Sequence, residues 1–414
     1  MKRVLVLFTL IFATAGVLAE GRFELEVYAS QFDSIPIGVV NFTPTEGSAV
    51  LRENLPWEII ANNLDFTGRF NVVKSERFDS ALFAEAGIAI YIDGQYTVEG
   101  SGVLIESNLR EVATQSAILT RRYRGEARFL RNMVHRYCNE LVEILFAERG
   151  FFESRILYVR NEGQRKNIAI MDFDGHNRSM LTNNNTINIF PVFIDKSNVL
   201  WTSYQRGKPD IYKGSITEGT SRIFLEGPAM LVSPDVSPID GTVAYASSQH
   251  GTLNIFTSAP DGTRQRRLTF SRGIDTAPNW SPNGYQIAFT SDRAGGPQIY
   301  VMDAAGANQR RVTFEGRYND TPAWSPRGDK IAYASRHEGQ FTIWTVSPDG
   351  TNAEMVANPP GMNEYPTWSP DGSLIAFINT TGGRSDLYVV RPDGTRLRRV
   401  TTSGDIRMPR WSRF

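Results

Sequence analysis

The chain has 414 residues, 41% of them hydrophobic, with Lys plus Arg and Asp plus Glu balanced at 44 each. That length is long for one domain and comfortable for two, and the neutral balance removes the electrostatic ground for expecting a nucleic-acid partner. A single cysteine, Cys138, rules out an internal disulfide, and four histidines leave little material for a metal centre.

The N-terminus carries Lys2 and Arg3, an almost unbroken apolar run over residues 4–12, and then small residues up to Val17-Leu18-Ala19. This is the pattern of a secretory signal peptide over residues 1–19 with cleavage after Ala19, the apolar run being too short to span a bilayer. Removal of Lys2 and Arg3 leaves a net charge of about −2. No cysteine stands at the start of the mature chain, so a lipid anchor is not expected. No later stretch approaches ~18 consecutive apolar residues, so a soluble monomer that is not membrane-embedded is expected.

Residues 20–34 alternate in character through Phe23, Leu25, Val27 and Ala29, but no turn ties them to the next element. They read as an N-terminal arm. Residues 35–150 then read as a small mixed α/β domain. A buried strand is expected over 36–42, and an amphipathic helix over 51–64 with Leu51, Leu55, Ile59, Ile60 and Leu64 on one face. Further strands are expected over 70–73, 88–92, 95–106 and 114–123, with Gly100-Ser-Gly102 read as a bulge. A long helix over 125–148 closes the domain and carries Cys138 on the face of Leu130, Val134, Leu141 and Leu145, where a buried thiol is expected.

From residue 151 the sequence repeats. Pro278-Asn-Trp280-Ser-Pro-Asn-Gly284, Pro322-Ala-Trp324-Ser-Pro-Arg-Gly328 and Pro366-Thr-Trp368-Ser-Pro-Asp-Gly372 are copies of one motif. Weaker copies begin at Pro191 and Pro234, and a truncated one, Pro409-Arg-Trp411-Ser412, ends the chain. The leading prolines are spaced 43, 44, 44, 44 and 43 residues apart. Each unit reads as four short strands separated by Gly-containing turns, which is a blade of a β-propeller. Pro fixes φ and Gly supplies positive φ in the Ser-Pro-x-Gly reversals, while the large Trp is suited to fill the wedge between blades. The last unit lacks its remaining strands, and those strands stand at 155–159, 167–171 and 178–182. Residues 151–414 are therefore expected to form a six-bladed β-propeller of four-stranded blades, closed non-covalently by the C-terminal strand.

Catalytic chemistry is not legible in this sequence. His135, His176, His250 and His337 show no metal-ligand spacing, and there is no Cys-x-x-Cys, Gly-x-Ser-x-Gly elbow or P-loop. No catalytic residue, no metal site and no cofactor is expected, and the chain is read as a non-enzyme. A secreted propeller hydrolase or lyase, or a glycan-binding module using channel aromatics, stands as the alternative. Binding residues concentrate on loops of rigid scaffolds, and the segments just before each Pro-x-Trp converge on one mouth of the channel. They hold Asn188, Met230, Asp275, Thr276, Asp320, Thr321, Asn363, Glu364 and Arg407.

The order of parts resembles the TolB family, the periplasmic component of the Tol–Pal envelope system of Gram-negative bacteria. The resemblance rests on Ile35-Pro-Ile-Gly-Val-Val-Asn-Phe42, Asn63-Leu-Asp-Phe-Thr-Gly-Arg-Phe70, Ser154-Arg-Ile-Leu-Tyr-Val159 and the six blades ending in Pro-Arg-Trp-Ser. The Trp-Ser-Pro-Asp-Gly repeat alone also occurs in propellers attached to prolyl oligopeptidase-like and tricorn-like proteases, so the N-terminal segments carry the discrimination. The resemblance implies a periplasmic protein-binding scaffold serving envelope integrity and outer-membrane invagination during cell division. It implies a Pal-like peptidoglycan-associated lipoprotein at the propeller mouth and a TolA-like protein on the arm, through Glu20, Phe23, Leu25, Val27 and Phe32. Outer-membrane proteins are further partners of such a scaffold. Glu20, Glu24 and Glu26 make this arm more acidic than the best-known members' arms.

Overall fold

The computed structural model describes residues 34–414. The expected signal peptide and the arm residues Glu20, Phe23, Leu25, Val27 and Phe32 lie outside the described residues. By its contacts the chain divides into two units, one ending at Tyr137 and the other beginning at Cys138, and the division falls inside the helix Leu130–Phe146. Among the described residues no helix is long and apolar enough to cross a membrane.

The first unit is built on one sheet in the order Phe70–Ser75, Ile35–Val40, Ile90–Glu99, Gly102–Glu111, Ala117–Glu126. The first three strands are parallel and the last three antiparallel. The helix Pro56–Thr67 makes the crossover between the two strands that flank it in sequence, as a parallel pair requires. It starts at Pro56 and not at residue 51, because proline cannot donate an N–H and is accommodated only in a first turn. It ends at Gly68, whose φ of 65° lets its N–H close on Asp65 O. Ile59, Ile60 and Leu64 on its buried face, with Ile37, Val39 and Ile92 from the sheet, are almost completely excluded from solvent.

Two expectations for this unit are corrected. Residues 92–95 do not separate two strands: Ile90–Glu99 runs straight through Gly94. Gly94 is there because a Cβ would sit 2.3 Å from both Glu106 O and the Phe42 ring. The turn lies instead at Gly100-Ser101, where Glu99 pairs with Gly102 across a two-residue hairpin and Gly100 has φ 59°. A short helix, Ser80–Glu85, was not anticipated, although its N-cap Asp79 accepts from the N–H of Ala81 and Leu82 at 3.0 Å in the usual manner. It buries Phe83 against Tyr91, Val40 and Ile88.

The second unit is a six-bladed β-propeller of four-stranded sheets. Its innermost strands are Asn188–Phe193, Leu231–Val236, Asp275–Trp280, Asn319–Trp324, Met362–Trp368 and Ile406–Trp411. The last of these is the first strand of the sheet that continues through Arg155–Glu162, Arg165–Asp172 and Ser179–Met180, so the chain's end completes the blade begun at residue 155. The seam is sewn beyond the ladder as well. Ser412 N donates to Arg155 O at 2.8 Å, Arg155 N to Ser412 Oγ at 3.1 Å, and Trp411 Nε1 to Ser154 Oγ at 2.8 Å.

The repeated tryptophans fill the inter-blade wedges. Trp280 packs with Ala244 and Ile255 of the preceding blade and Ile287 and Phe289 of its own, and Trp324 and Trp368 repeat that arrangement one and two blades on. Burying a side chain of this size contributes on the order of 3 kcal/mol per blade, which is why the motif recurs.

Candidate functional site

Each innermost strand is interrupted at the same place. The register shifts at the residue before the proline in all six. Proline has no N–H to give to the ladder, so a bulge forms there. The preceding residues Phe190, Ser233, Ala277, Thr321, Tyr365 and Met408 all take positive φ, between 45° and 57°. For side chains of this kind, and for β-branched Thr321 above all, such a backbone is costly and is held only by its surroundings. These six residues and their prolines line a small cavity of about 90 Å³ that forms the throat of the channel.

The nine sequence-predicted residues stand at or near the starts of the innermost strands, and they divide into two groups. Asn188, Asp275 and Asn363 are fully buried. Asn188 donates to Lys166 O and Asn184 Oδ1 and accepts from Trp201 Nε1, while Asp275 holds Arg293 and Ser271. Asn363 donates to Phe341 O and Pro359 O. Their polar groups are consumed in fixing the loops. Met230 is exposed, and Thr276, Asp320, Thr321, Glu364 and Arg407 are partly buried.

Glu364 interacts with Asp320 and with Arg407. Asp320 Oδ1 accepts from Thr290 Oγ1 at 2.8 Å and from Thr321 N at 2.7 Å. Burial nevertheless pushes its carboxyl above the usual range, because those two hydrogen bonds offset only part of the desolvation. Burial also pushes Glu364 up; the Arg407 guanidinium opposes this and the Asp320 charge adds to it. Tyr365 and Tyr318 are raised in turn, first by burial and then by the two carboxylates. Asp320 and Glu364 thus stand with Tyr318 and Tyr365 near the Arg407 guanidinium, and Arg336 lies near Tyr318, so hydrogen-bond acceptors and donors are mixed here.

A pH dependence follows from those directions. A carboxyl whose folded pKa is raised binds its proton more tightly in the native state, so its contribution to stability is present below the unfolded value of about 4 and is lost as pH rises through the folded pKa. Asp320→Asn, which keeps an acceptor for Thr290 and Thr321, is therefore expected to raise the thermal midpoint at pH 7. The gain should shrink steadily and vanish as pH falls to about 4. Calorimetry across that range checks this; a pH-independent difference would assign the effect to packing.

Phe190, Ala277 and Met408 were missed by sequence reasoning, although their place directly before the motif proline marks them. So was the residue after that proline. The six are Val192, Asp235, Asn279, Ala323, Thr367 and Arg410, and they turn toward the neighbouring blades and the channel. Asp235 Oδ2 accepts Trp280 N at 2.7 Å, Asn279 Oδ1 accepts Trp324 N at 2.6 Å, and Thr367 Oγ1 accepts Trp411 N at 3.1 Å. Only Asp235 and Arg410 are charged, and they pair with each other across one intervening blade, Arg410 Nη2 to Asp235 Oδ1. Arg413 Nη2 joins the same carboxylate at 3.2 Å. Burial lowers the Arg410 pKa and the Asp235 charge opposes that shift. His250 and His337 do no comparable work: they lie against the rings of Phe256 and Trp344.

Comparison with known proteins gives a consistent picture. A family model described as the TolB beta propeller domain matches residues 142–414, and one described as the TolB amino-terminal domain matches residues 23–118. The chain is similar to a "Protein TolB homolog" of Chlorobaculum tepidum, 34% identical over 224 residues that cover 52% of this chain and 51% of the relative. It is similar to the "Tol-Pal system protein TolB" of Desulfosudis oleivorans, 33% identical over 256 residues that cover 58% of each. The matches thus span about half the length of these curated relatives. Among solved structures, TolB from Acinetobacter baumannii superposes with a TM-score of 0.78 over 91% of this chain and 96% of that one, at 24% identity, so the fold is shared across nearly the full length.

Proposed function

Because the chain belongs to the TolB family, we propose that it is an exported, non-catalytic docking scaffold of the Tol–Pal system in the periplasm. The relative from Desulfosudis oleivorans carries that system in its name. In this reading the propeller mouth holds a Pal-like lipoprotein, and residues 20–32 engage a TolA-like protein, so that the chain links the outer and inner membranes during division. The observation that supports it best is the mouth itself. Six strained pre-proline residues and the Asp320–Glu364–Arg407 group are presented by a closed ring, a rigid surface on which a partner's gain in contact is not spent on ordering the receptor. Its polar groups do not form a nucleophile–base–orienter set, which favours docking over catalysis.

One capture experiment tests the reading. The mature chain, immobilised, is presented with a purified Pal-like lipoprotein and a TolA-like domain. Glu364→Lys reverses a charge at the mouth and is expected to weaken the lipoprotein at least about tenfold while leaving the TolA-like domain bound. Deletion of residues 20–32 should do the converse. Loss of both partners in both variants, or of neither, would refute the division of labour.

A further inference from the structure

The channel has a second chamber, on the far side of Arg410 from the throat. It is a cavity of about 300 Å³, at the lower end of the ~300–1,000 Å³ typical of small-molecule sites. Its wall carries Trp280, Trp324, Trp368 and Trp411, four of the six wedge positions, and prolines from the Ser-Pro-x-Gly turns form its rim. Arg410 lines both this chamber and the throat, and Arg413 lines this chamber only.

The charge in this chamber does not balance. Two guanidiniums share one carboxylate, Asp235, which stands behind the wall, and no carboxylate is among the residues that line it. Asp235 Oδ2 also accepts from Asn279 Nδ2 at 3.1 Å and Trp280 N at 2.7 Å, so one negative charge is shared among four donors. Arg413 spends Nη1 on Val236 O at 2.8 Å. Arg410 has one hydrogen-bond partner, Asp235, which leaves N–H groups of its planar fork without a protein acceptor. A surplus positive charge with unspent donors, in a wall that four tryptophans help to line, suits an anion with a flat apolar body.

We propose that this chamber is a binding site for a small monocarboxylate with an aromatic body. The carboxylate would pair with the unspent N–H groups of Arg410 and with Arg413, and the ring would lie among the four indoles. An anion without a ring would gain the charge term only, and a neutral ring would gain the apolar term only. The site is separate from the docking mouth and does not depend on that surface's assignment.

Calorimetric titration of the mature chain with benzoate, followed in parallel by tryptophan fluorescence, tests the proposal. Benzoate is expected to bind saturably and to perturb the indole emission. Benzamide, the neutral isostere, and acetate, the anion without a ring, should each bind at least about tenfold more weakly. Arg413→Gln, which leaves the Arg410–Asp235 pair in place, should weaken benzoate by about the same factor, with Glu364→Lys at the opposite mouth unchanged. Benzamide binding as tightly as benzoate, no saturable binding of benzoate, or an unaltered affinity in a folded Arg413→Gln chain would each overturn it. The benzoate–benzamide comparison uses the unmodified protein and decides the matter even if that variant does not fold.

Discussion

Deletion of residues 407–414 is expected to unfold the propeller at ambient temperature. Most of Ile406–Trp411 goes with them, and that strand is the innermost of its blade. Its loss exposes the edge of Arg155–Glu162 and leaves the first blade with three strands. Trp411, 2% exposed, accounts for about 3–5 kcal/mol by itself when a buried aromatic is lost. The seam bonds to Arg155 and Ser154 go too, as do both guanidiniums that hold Asp235. These losses together are of the same order as the ~5–15 kcal/mol that stabilises a typical domain. Far-UV circular dichroism and calorimetry of the truncated chain measure this. A cooperative transition near that of the full chain would show that the ring does not need its final strand.

Asp235→Ala is expected to cost about 3–5 kcal/mol, the usual price of stranding a buried ion pair's partner. Asp235 is 1% exposed and serves four donors at once: Arg410, Arg413, Asn279 Nδ2 and Trp280 N. Removing it leaves two guanidiniums uncompensated and a buried backbone N–H without an acceptor. Asp235→Asn should cost less, about 1–3 kcal/mol, because an amide oxygen still accepts from Trp280 N but carries no charge. Arg410→Met should also cost less than Asp235→Ala, because Arg413 still neutralises the carboxylate. Denaturant unfolding of the two single variants and the double variant gives the coupling between positions 235 and 410 directly. Additive effects would mean that the cross-channel pair is bystander geometry, and the closure of the ring would then rest on the strand ladder alone.

The two predictions converge on one feature. The C-terminal strand joins its blade by main-chain pairing, and Arg410 and Arg413 then reach past the neighbouring blade to Asp235. A ring closed by hydrogen bonds between strands is thereby also fastened across its channel. The same Arg410 separates the throat from the indole-lined chamber, so one side chain is common to closure and to the proposed anion site.

Much of this was legible in the chain. The proline spacing, the alternating strands and the Gly turns gave blade number and strand count, since a repeating unit that cannot bury its own apolar face must stack on copies of itself. The missing strands of the last unit gave the closure. Local signals were read less well in the small domain, which has no repeat to average over. The strands expected over 88–92 and 95–106 leave a gap at Asp93-Gly94, and only the approach of Glu106 O and the Phe42 ring explains a glycine in mid-strand.

What sequence by itself determined, then, was the architecture, because periodicity and turn chemistry are local and are repeated six times. Tertiary structure decided how far each sequence-predicted residue is buried: Asn188, Asp275 and Asn363 look like Glu364 in sequence, yet only folding shows them fully enclosed while Glu364 keeps part of its surface. It also decided the Asp235–Arg410 pair. The two residues are 175 positions apart, and the repeat alone places them at equivalent points of different blades. That they meet follows from the curvature of the closed ring, which brings together charges that no local pattern connects.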